Sequence, residues 1–273
     1  MSKTLGDLLV VSDLDGTLLT AQEGLPSCNI AMIRLFQALG GRFTIASGRS
    51  VESVRLALGN LPLGAPAIVF NGAMLYDYHE EFPVSEHYLP KVTALEAIRT
   101  LSEAVPGVGV EILAADGHMY MPICGEWACR HASHESLAYT VAELDQVPGA
   151  WYKVLFAAAP AQVARLERIA AEHVWEGAYF IATSSTYFEL MPQGVDKGAG
   201  LRELCALTGT ALEDVVAIGD YFNDIPMLQA AGHPVAVANA VPELKLQAQQ
   251  QVLSCTDGGV AQLLYSLIRQ YGH

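Results

Sequence analysis

Basic residues are scarce in this sequence. Its 273 residues include 15 Lys and Arg against 29 Asp and Glu, which gives a formal net charge of -14 at pH 7. No cluster of Lys and Arg interrupts this acidic background. Because nucleic acids and anionic membranes bind through positive patches, the composition argues against both as partners. Any anionic ligand would need local cations to offset the field of the chain.

Paired cysteines and long apolar runs are also missing. The five cysteines are scattered without Cys-x-x-Cys spacing, so they predict neither a disulfide framework nor a zinc site. No basic N-terminal segment leads into an apolar run, and no stretch approaches the length of a membrane-spanning helix. We therefore expect a cytoplasmic protein with reduced thiols.

The residues that are present favour a folded protein with a first pair of candidate functional residues near the N-terminus. Apolar residues make up 52% of the chain, enough for one large domain or two modest ones. Residues 8–11 predict a buried strand that ends in a turn containing Asp13 and Asp15. In extended backbone these carboxylates point the same way, about 6–7 Å apart. Such a pair can hold a hard cation or divide nucleophile and acid/base roles, although alone it is more often a polar turn.

Strands and helices alternate through the first 80 residues and again after residue 188. The pattern predicts strands at 8–11, 43–46, 67–70, 215–218 and 234–237, and helices at 30–39, 51–58, 198–207, 227–231 and 259–270. This alternation is typical of a doubly wound, Rossmann-like parallel sheet, which binds ligands beyond the carboxyl ends of its strands. We predict an α/β core domain formed by residues 1–80 and 189–273.

The alternation of predicted strands and helices is interrupted between residues 81 and 188. Helices are predicted at 91–104 and 161–173, and strands at 109–113, 118–121, 151–157, 179–183 and 187–190. Helices combined with hairpin-like strand pairs favour an antiparallel sheet. We therefore predict that residues 81–188 form an inserted α+β domain.

A second acidic group follows a predicted strand late in the chain. Asp220 and Asp224 lie in the stretch GDYFND, directly after residues 215–218. Taken alone, this stretch is equally compatible with a helix cap. Beside Asp13 and Asp15 at one sheet edge, it would bring together four carboxylates whose repulsion is costly unless a cation is bound. Oxygen ligands without His or Cys favour magnesium.

Further residues supply groups that can bind a phosphoryl group. Ser47 ends the second predicted strand, and Lys197 precedes a predicted helix. Each alone has an ordinary interpretation, as a helix cap or as a surface lysine. At the same sheet edge as a metal site, their hydroxyl and ammonium groups can bind phosphoryl oxygens. Gly16 lets backbone N–H groups approach an anion closely, and Thr17 can cap a helix.

Together these motifs resemble the haloacid dehalogenase superfamily of phosphotransferases. The resemblance rests on four motifs in the family's order, DLDGT, ASGRS, DKG and GDYFND, which begin at Asp13, Ala46, Asp196 and Gly219. It spans nearly the whole chain outside the insertion. The Asn71-Gly72 pair and an α+β insertion between the second and third motifs resemble the Cof-type branch, whose members are mostly sugar-phosphate and related phosphatases.

The resemblance implies a magnesium-dependent phosphatase with an aspartyl-phosphate intermediate. It makes Asp13 the nucleophile and Asp15 the general acid that protonates the leaving alcohol and then activates water. A carboxylate nucleophile divides a hydrolysis that can need acceleration of up to about 10²¹-fold into two easier steps. Magnesium would be held by the Asp13 carboxylate, the Asp15 backbone carbonyl and Asp220. Asp224 would lie behind them or bind through water.

The resemblance also implies how the phosphoryl group is bound. Ser47 and Lys197 would contact its oxygens, together with backbone N–H groups near Asp15 and Gly16. Asn223 would donate a hydrogen bond to the transferring phosphate. For Arg49 two alternatives remain open, contact with the substrate and pairing with a core carboxylate.

The inserted domain is expected to act as a cap that excludes water and selects the substrate. Candidate specificity residues on its strands and loops are Glu111, His118, Tyr120, Met121 and residues 126–134. His131 and His134 are three residues apart and can share a helix face. This pair favours a solvated polar face over a metal site.

Three functions are compatible with these motifs. The first is a phosphatase that hydrolyses monoesters of small metabolites, such as sugar phosphates. The alternatives are a phosphomutase and a catalytically silent protein that binds a phosphometabolite. The presence of Asp13, Asp15 and Lys197 favours an enzyme. We expect a small phosphorylated metabolite as partner, no nucleic acid or membrane, and a monomer or homodimer.

Overall fold

The structure is a computed structural model that describes residues 3–135 and 137–272. The helices are α1 Ser27–Ala38, α2 Val51–Leu58, α3 Lys91–Ala104, α4 Glu126–His134, α5 Pro160–Ala171, α6 Lys197–Thr208, α7 Ile225–Ala230, α8 Pro242–Lys245 and α9 Gly259–Tyr271. The strands are β1 Leu9–Ser12, β2 Arg42–Ile45, β3 Ala67–Val69, β4 Met74–Asp77, β5 Phe82–Glu86, β6 Gly109–Ala114, β7 Met119–Ile123, β8 Tyr139–Thr140, β9 Trp151–Ala157, β10 Ala178–Ala182, β11 Tyr187–Pro192, β12 Val215–Gly219, β13 His233–Val237 and β14 Gln250–Val252.

Five parallel strands form the central sheet, in the order β14-β13-β12-β1-β2. All residues of β1 and β12 are buried, as their nearly continuous apolar sequence predicts for parallel strands covered on both faces. The chain runs outward from β1 to β2 on one side and from β12 to β14 on the other. The boundary between β1 and β12 is therefore the topological switch point, where such sheets bind ligands. The predicted α/β core fold is confirmed.

The third predicted strand does not extend this sheet. β3 pairs antiparallel with β4 in a separate sheet of order β3-β4-β5, and Ile68 of β3 forms an isolated parallel bridge with Ala46, the residue after β2. Sequence patterning predicted neither β4 nor β5. All five residues of β5 are at least partly exposed and Pro83 interrupts its apolar pattern, so it lacks the signal of a buried strand.

A six-stranded sheet of order β10-β11-β9-β6-β7-β8 lies in the inserted part of the chain. Its pairs are antiparallel except for β7 and β8, which run parallel. Apolar residues of α3 and α5 pack with one face of the sheet; they include Ala97, Ile98, Leu101, Val163 and Leu166, with Val110, Ile112, Val154, Phe156 and Leu190 from the strands. This arrangement confirms the predicted α+β character.

The packing of the chain separates two compact units. The first contains the chain up to Arg49, Ala57–Ser85 and the chain from Asp196 onward; the second contains Ser50–Leu56 and Glu86–Val195. The proposed extent of the inserted domain, residues 81–188, stays a prediction. None of the helices in the described part of the chain is long and apolar enough to cross a membrane.

Candidate active site

The turn after β1 carries the first pair of aspartates. Asp13 is 5% exposed, and its backbone N–H donates to the Ile218 carbonyl at 2.9 Å, so it lies where β1 meets β12. Gly16 has φ +81°, and a Cβ there would lie 2.5 Å from Asp220 Oδ2. Only glycine therefore lets the turn pass so close to the second acidic group. Thr17 is not a helix cap as predicted; its hydroxyl donates to Asp220 Oδ1 at 3.1 Å and helps to fix that side chain.

Lys197 lies between the two acidic groups. It is the first residue of α6, whose N-cap Asp196 accepts the Ala199 backbone N–H at 2.7 Å. The side chain is 1% exposed, and Nζ lies 2.6 Å from both Asp13 Oδ1 and Asp224 Oδ1. Burial lowers the pKa of Lys197, but the charges of Asp13 and Asp224 outweigh this effect and raise the pKa. The alternative of a surface lysine is therefore wrong.

Three carboxylates form a compact oxygen cluster. Asp13, Asp220 and Asp224 each offer an oxygen, and these atoms lie within 4.8 Å of one another. Burial and the charge of Asp224 raise the pKa of Asp13 well above its usual range, although Lys197 opposes them. Burial and Asp224 also raise the pKa of Asp220 to about 6. Full ionisation of this cluster is therefore costly without a further cation.

The donor atoms of this cluster fit a divalent cation. Asp13 Oδ2 is buried and accepts no hydrogen bond from the described residues. Asp224 differs, because its Oδ1 is held by Lys197 and its Oδ2 accepts the backbone N–H groups of Asp220 and Tyr221, at 3.0 and 3.1 Å. Asp13 and Asp220 are accordingly better placed to bind a cation directly. Asp224 orients the GDYFND turn and the ammonium group.

The loop after β2 contributes a hydroxyl and a guanidinium. Ser47 is 1% exposed, and its Oγ accepts the Arg49 backbone N–H at 3.1 Å. Arg49 contacts both oxygens of Asp15, with Nε 2.8 Å from Oδ2 and Nη2 2.7 Å from Oδ1. Of the two alternatives for Arg49, the structure shows pairing with a carboxylate. The partner is the half-exposed aspartate to which the resemblance assigns acid/base chemistry.

Two asparagines near the site were not predicted to have a functional role. Asn71 Oδ1 accepts a 3.1 Å hydrogen bond from Nδ2 of Asn223, the residue expected to contact phosphate. Asn239 Nδ2 donates to the Gly16 carbonyl at 2.7 Å, and its Oδ1 accepts the Cys255 N–H at 2.9 Å. Asn239 therefore ties the first turn to the chain beyond β14. Its position just after β13, at the carboxyl edge of the sheet, is a signal that could have identified it.

This geometry agrees with a comparison of the chain with known families. The sequence pattern of the haloacid dehalogenase-like hydrolases matches residues 10–264. The chain belongs to this family. The resemblance inferred from the four motifs is thereby confirmed.

Relatives of this hydrolase are similar to it over nearly their whole length. The pyridoxal phosphate phosphatase YbhA of Escherichia coli is 30% identical over 271 residues, covering 94% of this chain and 97% of that protein. The HMP-PP phosphatase of Serratia proteamaculans is 27% identical over 264 residues, covering 96% and 95%. The solved structure of TM0651 from Thermotoga maritima has a TM-score of 0.81 at 26% identity, covering 95% and 97%. The chain is accordingly a phosphoric monoester hydrolase of this family.

The candidate specificity residues of the hydrolase differ widely in exposure. Glu111 is fully buried, and its Oε2 lies 2.8 Å from Nδ1 of His131, whose Nε2 is 3.2 Å from Glu135. Burial lowers the pKa of His131, but hydrogen bonds to the two glutamates outweigh it and raise the pKa to about 10. The predicted solvated face is therefore wrong for His131 and right only for the exposed His134. Among the other candidates, Met121 is buried, Tyr120 is partly buried and His118 is exposed.

Proposed function

We propose that this hydrolase is a magnesium-dependent phosphatase of small phosphorylated metabolites that works through an aspartyl-phosphate intermediate. The environment of Asp13 carries the proposal. One oxygen of this buried carboxylate is held by Lys197, while the other accepts no hydrogen bond from the described residues. A carboxylate fixed in this way at the switch point is suited to attack a bound phosphorus atom.

The first chemical step transfers the phosphoryl group to the protein. The Asp13 carboxylate forms a bond to phosphorus as the bond between phosphorus and the ester oxygen breaks. Asp15 gives its proton to the departing oxygen, which leaves as an alcohol. Ser47, Lys197 and the Asn223 amide donate hydrogen bonds to the phosphoryl oxygens, with backbone N–H groups near Asp15.

The second step returns the phosphoryl group to water. Asp15, now a carboxylate, takes a proton from a water molecule whose oxygen attacks phosphorus. The bond to Asp13 breaks, phosphate leaves, and both carboxyl groups return to their starting states. Arg49 holds the Asp15 carboxylate by two contacts and so sets the direction from which it can act.

The oxygen cluster is the proposed magnesium site. Asp13, Asp220 and the backbone carbonyl of Asp15 would hold the ion, with Asp224 bound through water or behind the ligands. When bound, magnesium supplies positive charge that offsets the charge of the phosphoryl oxygens.

The proposed substrates are monoesters of small metabolites, such as sugar phosphates or the phosphorylated cofactor for which YbhA is named. The same chemistry at Asp13 serves any of these substrates, so only the leaving group differs among them. The expectations of a cytoplasmic location and of a monomer or homodimer stay predictions.

Phosphate release from a panel of phosphorylated sugars, nucleotides and cofactors tests the proposal. The wild type should release phosphate with magnesium and lose this activity in a chelator. Asp13→Asn should fold normally and release none, because an amide of the same shape does not attack phosphorus. Retained turnover in this variant would remove Asp13 from the nucleophile role. Isomerised sugar phosphate in place of free phosphate would favour the phosphomutase alternative.

A further inference from the structure

Three consecutive residues with positive φ follow β3. Phe70 has φ 51°, Asn71 φ 54° and Gly72 φ 100°; Glu81 is the one other non-glycine residue with positive φ in the described chain. A left-handed backbone costs a non-glycine residue on the order of 1–3 kcal/mol, and it persists only where the surroundings impose it. Two such residues in succession therefore mark a turn whose shape is enforced by its neighbours.

The backbone of this turn holds the loop that bears the phosphate-binding hydroxyl. The Asn71 N–H donates to the Ser47 carbonyl at 2.9 Å, and the Phe70 N–H donates to the Arg49 carbonyl at 3.0 Å. In return, the Ser47 N–H donates to the Ile68 carbonyl at 2.8 Å. Ser47 is thus fixed by hydrogen bonds from both sides.

Gly72 brings the turn against the start of α6. A Cβ at position 72 would clash with the Asp196 carbonyl oxygen, so the two backbones touch one residue before Lys197. Glycine satisfies both the positive φ and this close approach. The turn therefore contacts the elements that carry Ser47 and Lys197.

The side chain of Asn71 reaches a third phosphate-binding group. It is 3% exposed, and its Oδ1 accepts the 3.1 Å hydrogen bond from Asn223 Nδ2. Its carboxamide also packs on Gly48, where a Cβ would lie 3.0 Å from Asn71 Nδ2. With one amide hydrogen engaged by Asn71, the plane and direction of the Asn223 carboxamide are set.

We propose that Asn71 is a positioning residue, whose carboxamide orients Asn223 toward the transferring phosphoryl group. This inference rests on the proposed function, which assigns the phosphate contact to Asn223. Asn71 acts through a neighbour and does not itself touch the substrate. Asparagine suits the position because it tolerates the left-handed backbone and offers an amide oxygen as acceptor.

Asn71→Gly isolates the side chain, because glycine keeps the left-handed backbone and removes only the carboxamide. We expect its kcat/KM for phosphate release to fall roughly three- to tenfold, the loss of one hydrogen bond. In an Asn223→Ala background the same change should cost nothing further, since its effect passes through Asn223.

The matched control is Glu81→Gly, which makes the same substitution at an exposed left-handed residue and should leave the kinetics unchanged. Equal losses of kcat/KM from Asn71→Gly in the wild-type and Asn223→Ala backgrounds, or no loss at all, would overturn the inference.

Calorimetric titration with inorganic phosphate in the presence of magnesium gives a readout that does not need turnover. We expect Asn71→Gly to bind phosphate roughly three- to tenfold more weakly than the wild type. A wild type that binds phosphate but releases none from any substrate would refute the proposed function, whereas equal affinities in both proteins would refute the role of Asn71.

Discussion

Replacing Lys197 by methionine tests whether its ammonium stabilises the acidic cluster. Nζ lies 2.6 Å from Asp13 Oδ1 and from Asp224 Oδ1, and the side chain is 1% exposed. Methionine is also an unbranched chain that fills irregular space, so the change removes the charge with little loss of packing. Two buried carboxylates then face each other without a cation, and breaking a buried ion pair in this way costs about 3–5 kcal/mol.

We expect the lower end of this range, about 3 kcal/mol, for Lys197→Met in a chelating buffer. Burial and the charge of Asp224 already raise the pKa of Asp13, so its carboxyl can take up a proton and relieve part of the repulsion. This loss corresponds to a fall in apparent Tm of roughly 6–12 °C. Magnesium should restore much of the lost stability, because a ligand at 100 times its Kd stabilises the folded state by about 2.7 kcal/mol.

Lys153→Met is the matched control for this measurement. Lys153 Nζ lies 2.8 Å from Glu189 Oε1, and both side chains are almost fully buried in the second unit. Thermal unfolding followed by circular dichroism, in chelator and in magnesium, should show both variants destabilised in chelator. Only Lys197→Met should gain more from magnesium than the wild type does. A stability of Lys197→Met within about 1 kcal/mol of the wild type in chelator, or equal gains of both variants from magnesium, would refute the stabilising role of the ammonium.

Three further predictions follow from single contacts. Gly16→Ala combines left-handed strain with a Cβ 2.5 Å from Asp220 Oδ2, so it should lose about 1–3 kcal/mol of stability and need more magnesium for half-maximal activity, both measured against the wild type. Arg49→Lys keeps the charge but not the two-pronged contact with Asp15, so kcat should fall about tenfold with little change in apparent Tm; an unchanged kcat would show that the contact is dispensable. The pKa of His131 is raised from 6.5 to about 10, so its imidazolium stabilises the fold fully below pH 6.5 and this contribution is lost as the pH rises toward 10. The stability advantage of the wild type over His131→Gln should shrink across that interval, and a constant difference would contradict the assignment.

The positions at strand ends could be predicted from the sequence. Asp13, Ser47 and Asp220 each follow a short apolar strand, and parallel strands bring their carboxyl ends to one edge. The apolar pattern of each strand and the rule that parallel strands end at one shared edge were sufficient to predict the positions of these three residues. The bounds of α2, α3 and β9 also agree with the predicted ranges, because the two helices have apolar residues at helical spacing and β9 is a nearly continuous apolar run between clear breaks.

Features that depend on partners distant in sequence escaped prediction. The ammonium of Lys197 is buried because of a carboxylate 184 residues away, and the hydroxyl of Thr17 is fixed by one 203 residues away. Helix α4 buries two alanines and His131, and so presents no apolar stripe that would identify a core-facing helix. The burial of that histidine requires Glu111, which lies 20 residues earlier on a strand whose direction the sequence does not give.

The charges at the edge of the central sheet make metal removal the sharpest test of substrate binding. Four aspartates meet two cations there, Lys197 and Arg49, so the fully ionised site carries two net negative charges within a chain of formal charge -14. A phosphate dianion would enter against that field, whereas a bound divalent cation makes the site neutral before the dianion arrives. We therefore expect phosphate affinity to fall much further in a chelator than after the loss of one neutral donor, such as in Ser47→Ala. Calorimetric titration of phosphate into the wild type without magnesium, and into Ser47→Ala with it, compares the two losses directly. A smaller loss on metal removal would mean that Lys197 and Arg49 alone provide the compensating charge.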